Sequence, residues 1–482
     1  MKPTTRFITI SFLVNLLILP TAHAQSWQEQ VISYVDDKAT IHEEVANDIW
    51  HWAELGFEET NSSLRLQNHL RENEFKISSG VAGMPTAFVA TYGEEGPVIG
   101  FIAEFDALPG LSQALSPIRS TIDGQVAGHA CGHHLLGTAA AESAIAVKEW
   151  LEATGTKAIL RIYGSPAEEG GGGKVYLTRE GLLEDVDALM NWHPADRNFV
   201  NTGTNLATYS GKFRFKGISA HAAAAPERGR SALDGVEAMN HMVNMMHEHL
   251  PEKARVHYVI TSGGKAPNVV PNFSEVYYIA RHPDPIVASE IWQRISNAAE
   301  GAALGTDTTV SSEIIGATYP TMTNDVLAKI SHDNLSLIGG VSYTKQEKQF
   351  AEQISLTFNS RRKPLEEAEK ISALVLSSDY VRAASSDVGD MSWVTPTTFI
   401  STATWVPGTN GHSWQAVAAG NTTIGYKGMH VASKTMALTA IDLIQNPELI
   451  EEARAELERR RGADFKYKAM VGDRLPPLDY GK

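Results

Sequence analysis

The sequence predicts an α/β protein of two domains, and three observations predict it. At 482 residues the chain exceeds what one hydrophobic core usually serves. Short apolar runs alternate with longer helical patterns, which implies a largely parallel sheet. The alternation breaks at residues 207–318, which read as an α+β unit, and then resumes. That unit is therefore an insertion, and the larger domain is discontinuous, made of residues 25–206 and 319–482.

The elements follow in order. Lys2 and Arg6 precede the apolar stretch FITISFLVNLLIL, and Ala22-His23-Ala24 is a small-x-small cleavage pattern. Residues 1–24 thus read as a secretory signal, too short to span a bilayer, with a mature chain starting at Gln25. Trp27 to about His51 is helical. PVIGFIAEFDALPG reads as a strand ending near Glu104–Asp106, LLGTAAAESAIAVKEWLEA as a long helix, and AILRIYG as a strand leading into SPAEEGGGGK. A helix and the strand of DVDALMNWHP come next. Asp106, Glu168–Glu169 and His193 each fall just past a strand's carboxyl end, where ligands gather in such sheets.

In the insertion, TYSGKFRFKGISAH is an alternating strand and RSALDGVEAMNHMVNMMHEHL an amphipathic helix. HYVITSGG and SEVYYIARH are further strands. His241, His247 and His249 lie on the helix pattern and read as solvated. Helix–strand alternation then runs to about residue 447, and the tail DFKYKAMVGDRLPPLDYGK reads as extended chain.

Composition excludes some functions. Hydrophobic content of 43% is ordinary for a soluble protein. Removing residues 1–24 takes two basic residues and no acidic ones, so the formal charge moves from −15 to −17. Nucleic acid and anionic membrane are poor partners for that surface. No G-x-S-x-G elbow is present, which disfavours a serine hydrolase.

The chain's one cysteine lies in GHACGHHLLG, among His129, His133 and His134. An exported protein with one thiol risks its oxidation, which favours an occupied thiol. His129 and His133 have zinc-helix spacing, but Ala130 stands where H-E-x-x-H needs glutamate. Cys131 and His133 converge only in a turn or a helix's first turn, and Gly132 makes that accessible. Thiolate with imidazole suits Zn, Fe or Co. The plainer alternative is a buried inert cysteine beside solvated histidines. EEGGGGK fails as a phosphate loop, because Val175 follows Lys174 and Glu168 occupies a required glycine position.

These stretches together resemble a family. AEFDALPG (103–110), GHACGHHLLGTAAA (128–141), GSPAEEGGGGK (164–174), NWHP (191–194), GISAHAAAAPERGRSALD (217–234), GGKAPNVVPNFSEVYYIAR (263–281), SSDVGDMSW (385–393) and GHSW (411–414) run in family order. The chain resembles the M20 metallopeptidases, in their amidohydrolase branch, and is most similar to the p-aminobenzoyl-glutamate hydrolase type.

The resemblance implies a fold of catalytic domain plus inserted lid and dimerisation domain, in a homodimer. It implies two divalent metal ions, Zn or Mn, held by Cys131, His133, Glu169, His193 and His412. Glu168 becomes the general base, and Asp106 a residue that holds a ligand or bridges the site. Two cations sharing a water lower its pKa and polarise an amide carbonyl, while an adjacent carboxylate shuttles the proton. His221, on the lid, becomes the carbonyl-polarising donor, acting in cis or in trans. Asn268 and Arg281 become contacts to a substrate carboxylate. The resemblance makes His129 and His134 supports behind the ligands or structural residues; many relatives carry Asp or Asn where this chain has His134, and the extra imidazole there either adds a ligand or shifts metal preference. The activity implied is hydrolysis of an N-acyl or N-aroyl amino acid or short peptide amide. A dipeptidase or aminopeptidase of the same fold, and a non-catalytic binding protein on the scaffold, are the alternatives.

Overall fold

A strand of seven buried residues, Val98–Glu104, organises the larger domain. The computed structural model describes residues 26–359, 362–377 and 379–479, so the expected export signal lies outside the described residues. Val98–Glu104 pairs in parallel with Ile159–Ser165 on one side and Ala188–Met190 on the other. Its unbroken apolar run is what a strand covered on both faces requires. Phe88–Tyr92 and Lys76–Ser79 extend the sheet antiparallel beyond Ile159–Ser165. The sequence reading did not include this edge hairpin, because Lys76–Ser79 is largely exposed and carries no apolar alternation.

The helix His133–Thr154 is buried along nearly its whole length between the sheet and the helix Thr423–Gln445. Its alanines at 139, 140, 141, 144 and 146 are the reason it can lie so close. A bulkier residue such as Ala140→Leu would overpack the layer at about 1–3 kcal/mol. Gly137 fits the same logic, since a Cβ there would sit 2.5 Å from the Glu104 carbonyl oxygen. The first turn of the helix is thereby brought against the carboxyl end of Val98–Glu104.

DVDALMNWHP divides in two. Ala188–Met190 belongs to the central sheet, whereas Trp192–Ala195 pairs in parallel with Ile400–Ala403 in a smaller three-stranded sheet. His193 is therefore inside a second short strand. The indole of Trp192 anchors the crossing by donating to the Leu136 carbonyl at 3.1 Å.

The inserted domain is a four-stranded antiparallel sheet of Ala207–Lys216, Arg255–Ser262, Phe273–His282 and Thr309–Thr318, with Arg255–Ser262 at one edge. Phe273–His282 alternates between buried and more open positions, as a half-covered strand should. Helices Ala232–Met246 and Pro285–Gly305 cover one face. Asp284 caps the second by accepting from the Ile286 amide at 2.8 Å, and Pro285 fits the first turn. His241, His247 and His249 are exposed, as expected; the last two lie in a 3-10 turn after the helix.

After the insertion the chain returns through Asp325–Ile338 and Lys345–Ser355 to Thr423–Gln445. One more helix, Pro447–Arg461, follows where the sequence reading ended the alternation. Only Ile450, Ala453, Glu456 and Leu457 are buried on it, so its apolar period is faint. Among the described residues no helix is long and apolar enough to cross a membrane.

Candidate active site

Two strand ends and one helix start deliver most of the chemistry. Val98–Glu104 ends two residues before Asp106, Ile159–Ser165 ends three before Glu168, and Cys131 precedes the helix that starts at His133. Gly132 makes the turn between Cys131 and His133, with φ of 81°. A Cβ there would meet the Pro194 ring at 2.8 Å, so glycine also lets this turn rest beside His193.

The ligand-type side chains form two triads sharing one atom. Cys131, His133 and His193 make the first, and Cys131, Glu169 and His412 the second; within each, the ligand atoms lie within 4.8 Å of one another. His193 Nδ1 is 2.8 Å from the Pro194 carbonyl, which accepts its hydrogen and leaves Nε2 facing Cys131 Sγ at 3.4 Å. His133 Nδ1 donates to Asp106 Oδ1 at 2.8 Å. Its Nε2 is buried with no hydrogen-bond partner, 3.0 Å from Glu104 Oε2 but not aligned with it. A buried imidazole nitrogen with its other nitrogen fixed on a carboxylate is the arrangement of a metal ligand. The donor set, one thiol, three imidazoles and a carboxylate, suits a divalent transition metal.

His412 has left-handed backbone, with φ of 57°, and its amide donates to the Ala130 carbonyl at 3.0 Å. Its side chain is 57% exposed and its Nε2 lies 3.4 Å from Glu169 Oε1. That contact raises His412 above the usual imidazole value. Glu169 falls below the usual carboxylate range, because His412 and His133 together outweigh the effect of burial. Burial would lower His133, but Cys131, Asp106 and Glu104 hold it well above its usual value.

Glu168 stands beside this group, with Glu104 and His133 within the same reach. Burial, then the charges of Glu104 and Asp387, push its carboxyl well above the usual range. Lys174 is fully buried between Glu104 Oε1 at 2.8 Å and Asp387 Oδ1 at 2.7 Å. The lysine of the rejected phosphate loop is thus a counter-ion to two carboxylates behind the site. Glu104 and Lys174 are participants that the sequence reading passed over. A usable signal existed for the first: Glu104 and Asp106 are two apart, so an extended chain turns both the same way.

Asp106 has two duties, since its Oδ2 also accepts from the Glu169 amide at 3.0 Å. His129 and His134 belong to neither triad. Both are buried, with rings 5.0 Å apart, and His129 Nε2 lies 3.1 Å from the Ile49 carbonyl.

The three lid residues part company. Arg281 lines a cleft of about 290 Å³ between the inserted sheet and the loop Glu168–Gly172, together with Thr208, Thr318 and Ser385. Thr208 is the register partner of both Arg281 and Thr318, so the three stand abreast across three strands. His221 and Asn268 are exposed and stand outside that cleft, joined to each other's segment by a bond from the Ala222 amide to the Asn268 carbonyl.

Comparison with known proteins places the chain in a family. Residues 208–307 match the peptidase dimerisation domain of M20 proteins. A p-aminobenzoyl-glutamate hydrolase chain of Escherichia coli K12, one of that enzyme's subunits, is 40% identical over 457 residues, covering 89% of this chain and 95% of that one. The chain belongs to the M20 family. It is accordingly a hydrolase of C–N amide bonds. Within the M20 family the Xaa-Arg dipeptidase of Homo sapiens is 26% identical over 443 residues, covering 88% of this chain and 90% of that one. Two solved structures share the M20 fold. An aminobenzoyl-glutamate utilization protein from Klebsiella pneumoniae has a TM-score of 0.62 at 17% identity, covering 86% of this chain and 99% of that one. A dinuclear metal-binding M20 peptidase from Bacillus subtilis has a TM-score of 0.59 at 18% identity, covering 85% and 99%.

Proposed function

We propose that this M20 enzyme hydrolyses the amide bond of an N-acyl or N-aroyl amino acid of the aminobenzoyl-glutamate kind, using two divalent metal ions. The observation that carries the reading is the pair of triads sharing Cys131, with Glu168 beside them. The 40% identity to a chain of an aminobenzoyl-glutamate hydrolase supports the substrate class.

Cys131, His133 and His193 would hold one ion, and Cys131, Glu169 and His412 the other. The thiolate favours Zn, while the carboxylate and imidazoles allow Mn. When bound, the ions would polarise the amide carbonyl and acidify the attacking water. Glu168 takes the proton of that water and returns it to the leaving nitrogen. Asp106 fixes the ring of His133 and the backbone of Glu169. Arg281, in the cleft beside Glu168, receives the substrate carboxylate through its planar fork.

His221 donates to the carbonyl oxygen from the lid of a second subunit, with Asn268 beside it on the substrate carboxylate. Their exposure and their place outside the Arg281 cleft support action in trans. A homodimer is supported by the edge strand Arg255–Ser262. Tyr258 is 40% exposed, Val259 56% and Ile260 40%, beside an unpaired row of backbone groups that a second copy could pair. Export rests on the signal pattern of residues 1–24, and an N-terminus at Gln25 in exported protein would test it.

The deciding experiment is turnover of a panel, p-aminobenzoyl-glutamate, other N-acyl amino acids and Xaa-Arg dipeptides, after chelation and re-addition of Zn or Mn. Metal-restored hydrolysis of the N-acyl compounds is expected. Hydrolysis of the dipeptides alone would overturn the substrate class, and full activity in the chelated protein would overturn the metal chemistry.

A further inference from the structure

Glu59 is buried with no exposed surface, and it lies in neither the triads nor the Arg281 cleft. It is the N-cap residue of the helix Thr60–Glu72, but its side chain makes no cap hydrogen bond there. It reaches across to the loop after Ile159–Ser165 instead. The Ala167 amide donates to Glu59 Oε1 at 2.8 Å, and the Thr86 hydroxyl donates to Oε2 at 3.0 Å.

Ala167 is the residue before Glu168, and it has left-handed backbone with φ of 57°. An alanine occupies that region only when its surroundings over-determine it. Here the turn is closed from inside, since the Ala167 carbonyl accepts from the Gly171 and Gly172 amides at 2.9 Å each. Glu59 supplies the hold from outside. The amide on the far side of Glu168, that of Glu169, is held by Asp106. The backbone on both sides of Glu168 is therefore pinned by buried carboxylates, one from each of two distant segments.

We propose that Glu59 is a positioning residue for the reaction: by holding the Ala167 amide it keeps the left-handed turn that aims Glu168 at the metal triads. It touches neither substrate nor ligand and acts through one backbone hydrogen bond. Without an acceptor, the buried Ala167 N–H is left unsatisfied, and the turn gains by rotating to find another partner. A rotation at residue 167 swings the Glu168 carboxylate, and a displacement of about 1 Å can cost roughly 100-fold in rate. Burial first, and then the Asp106 charge, push the Glu59 carboxyl up to about 8. A neutral amide is accordingly a fair substitute, because its carbonyl can accept from Ala167 while the Thr86 hydroxyl turns to accept its N–H.

The inference rests on Glu168 being the base, and the test separates the two. Glu59→Met, nearly isosteric and without an acceptor, and Glu59→Gln are compared as full-length metal-loaded proteins. Readouts are kcat and KM on p-aminobenzoyl-glutamate, metal content, and hydrogen–deuterium exchange of the peptide spanning 164–173. Glu59→Met should lose about 10- to 100-fold in kcat, with KM and metal content held and exchange of that peptide faster. Glu59→Gln should restore kcat to within about threefold of the parent. If the methionine protein does not accumulate, Glu59→Asp, whose carboxylate falls short by one methylene, carries the same expectation. Unchanged kcat and unchanged exchange in the folded variant, even with a lower melting temperature, would overturn the proposal. If exchange rises while Glu168→Gln turns over normally, the Glu59 hold stands and the assignment of Glu168 as base falls.

Discussion

Asp106 Oδ1 lies 2.8 Å from His133 Nδ1, while Oδ2 of the same carboxylate receives the Glu169 amide. One buried side chain thus orients a member of each triad. Asp106→Asn keeps the size but offers one acceptor oxygen in place of two. Metal affinity should fall about 10- to 100-fold, measured by competition with a chromophoric chelator. An unaltered affinity would show that the ligands hold their geometry without Asp106.

Glu168→Gln should retain its metals and lose catalysis. The amide is close to isosteric and cannot carry a proton, so kcat should drop about 100-fold or more. Elemental analysis alongside turnover decides the matter: a fully metallated variant with near-normal kcat would move the base elsewhere.

Stability should fall on the alkaline side through His430. Its Nδ1 lies 3.0 Å from Glu142 Oε1, which also meets His42 Nδ1 at 3.0 Å, and its Nε2 lies 3.4 Å from Glu43. Burial opposes the charge on His430, but Glu142 and Glu43 hold its value up to about 9 from 6.5. A raised folded value contributes stability that is complete below about 6.5 and is lost as pH rises through about 9. Unfolding free energies from urea titrations between those limits should decline by roughly 2–3 kcal/mol in the parent. In His430→Gln the decline should be much flatter, and parallel slopes in the two proteins would remove His430 as its source.

Mixing His221→Ala with Glu168→Gln should restore part of the activity. If His221 serves the neighbouring subunit, a mixed dimer holds one site with both residues intact. If it serves its own subunit, every site keeps one lesion. No recovery after demonstrated subunit exchange argues for action in cis, and a strict monomer by light scattering removes the dimer altogether.

What the sequence made legible was chemistry packed into short stretches. Cys131-Gly132-His133 and Glu168–Glu169 carry their meaning locally, because a thiol beside imidazoles and an acid pair after a strand are unusual neighbours. His412 needed the family resemblance, since G-H-S-W has no metal signature of its own. Glu59 and Lys174 were hidden for a different reason. Each works across about 70 to 210 residues of chain, Lys174 on Glu104 and Asp387, Glu59 on Ala167, and no spacing rule spans such distances. The edge hairpin and the helix Pro447–Arg461 escaped because their exposed faces dilute the apolar period.

The lone thiol at the junction of the two triads gives the proposed metal centre a built-in gauge. Cys131 is the chain's one cysteine, so any thiolate-to-metal charge-transfer band in cobalt-substituted protein can come from it and nowhere else. If Cys131 holds the ions as proposed, occupancy of the centre can therefore be followed optically during a reaction, on the unmodified sequence.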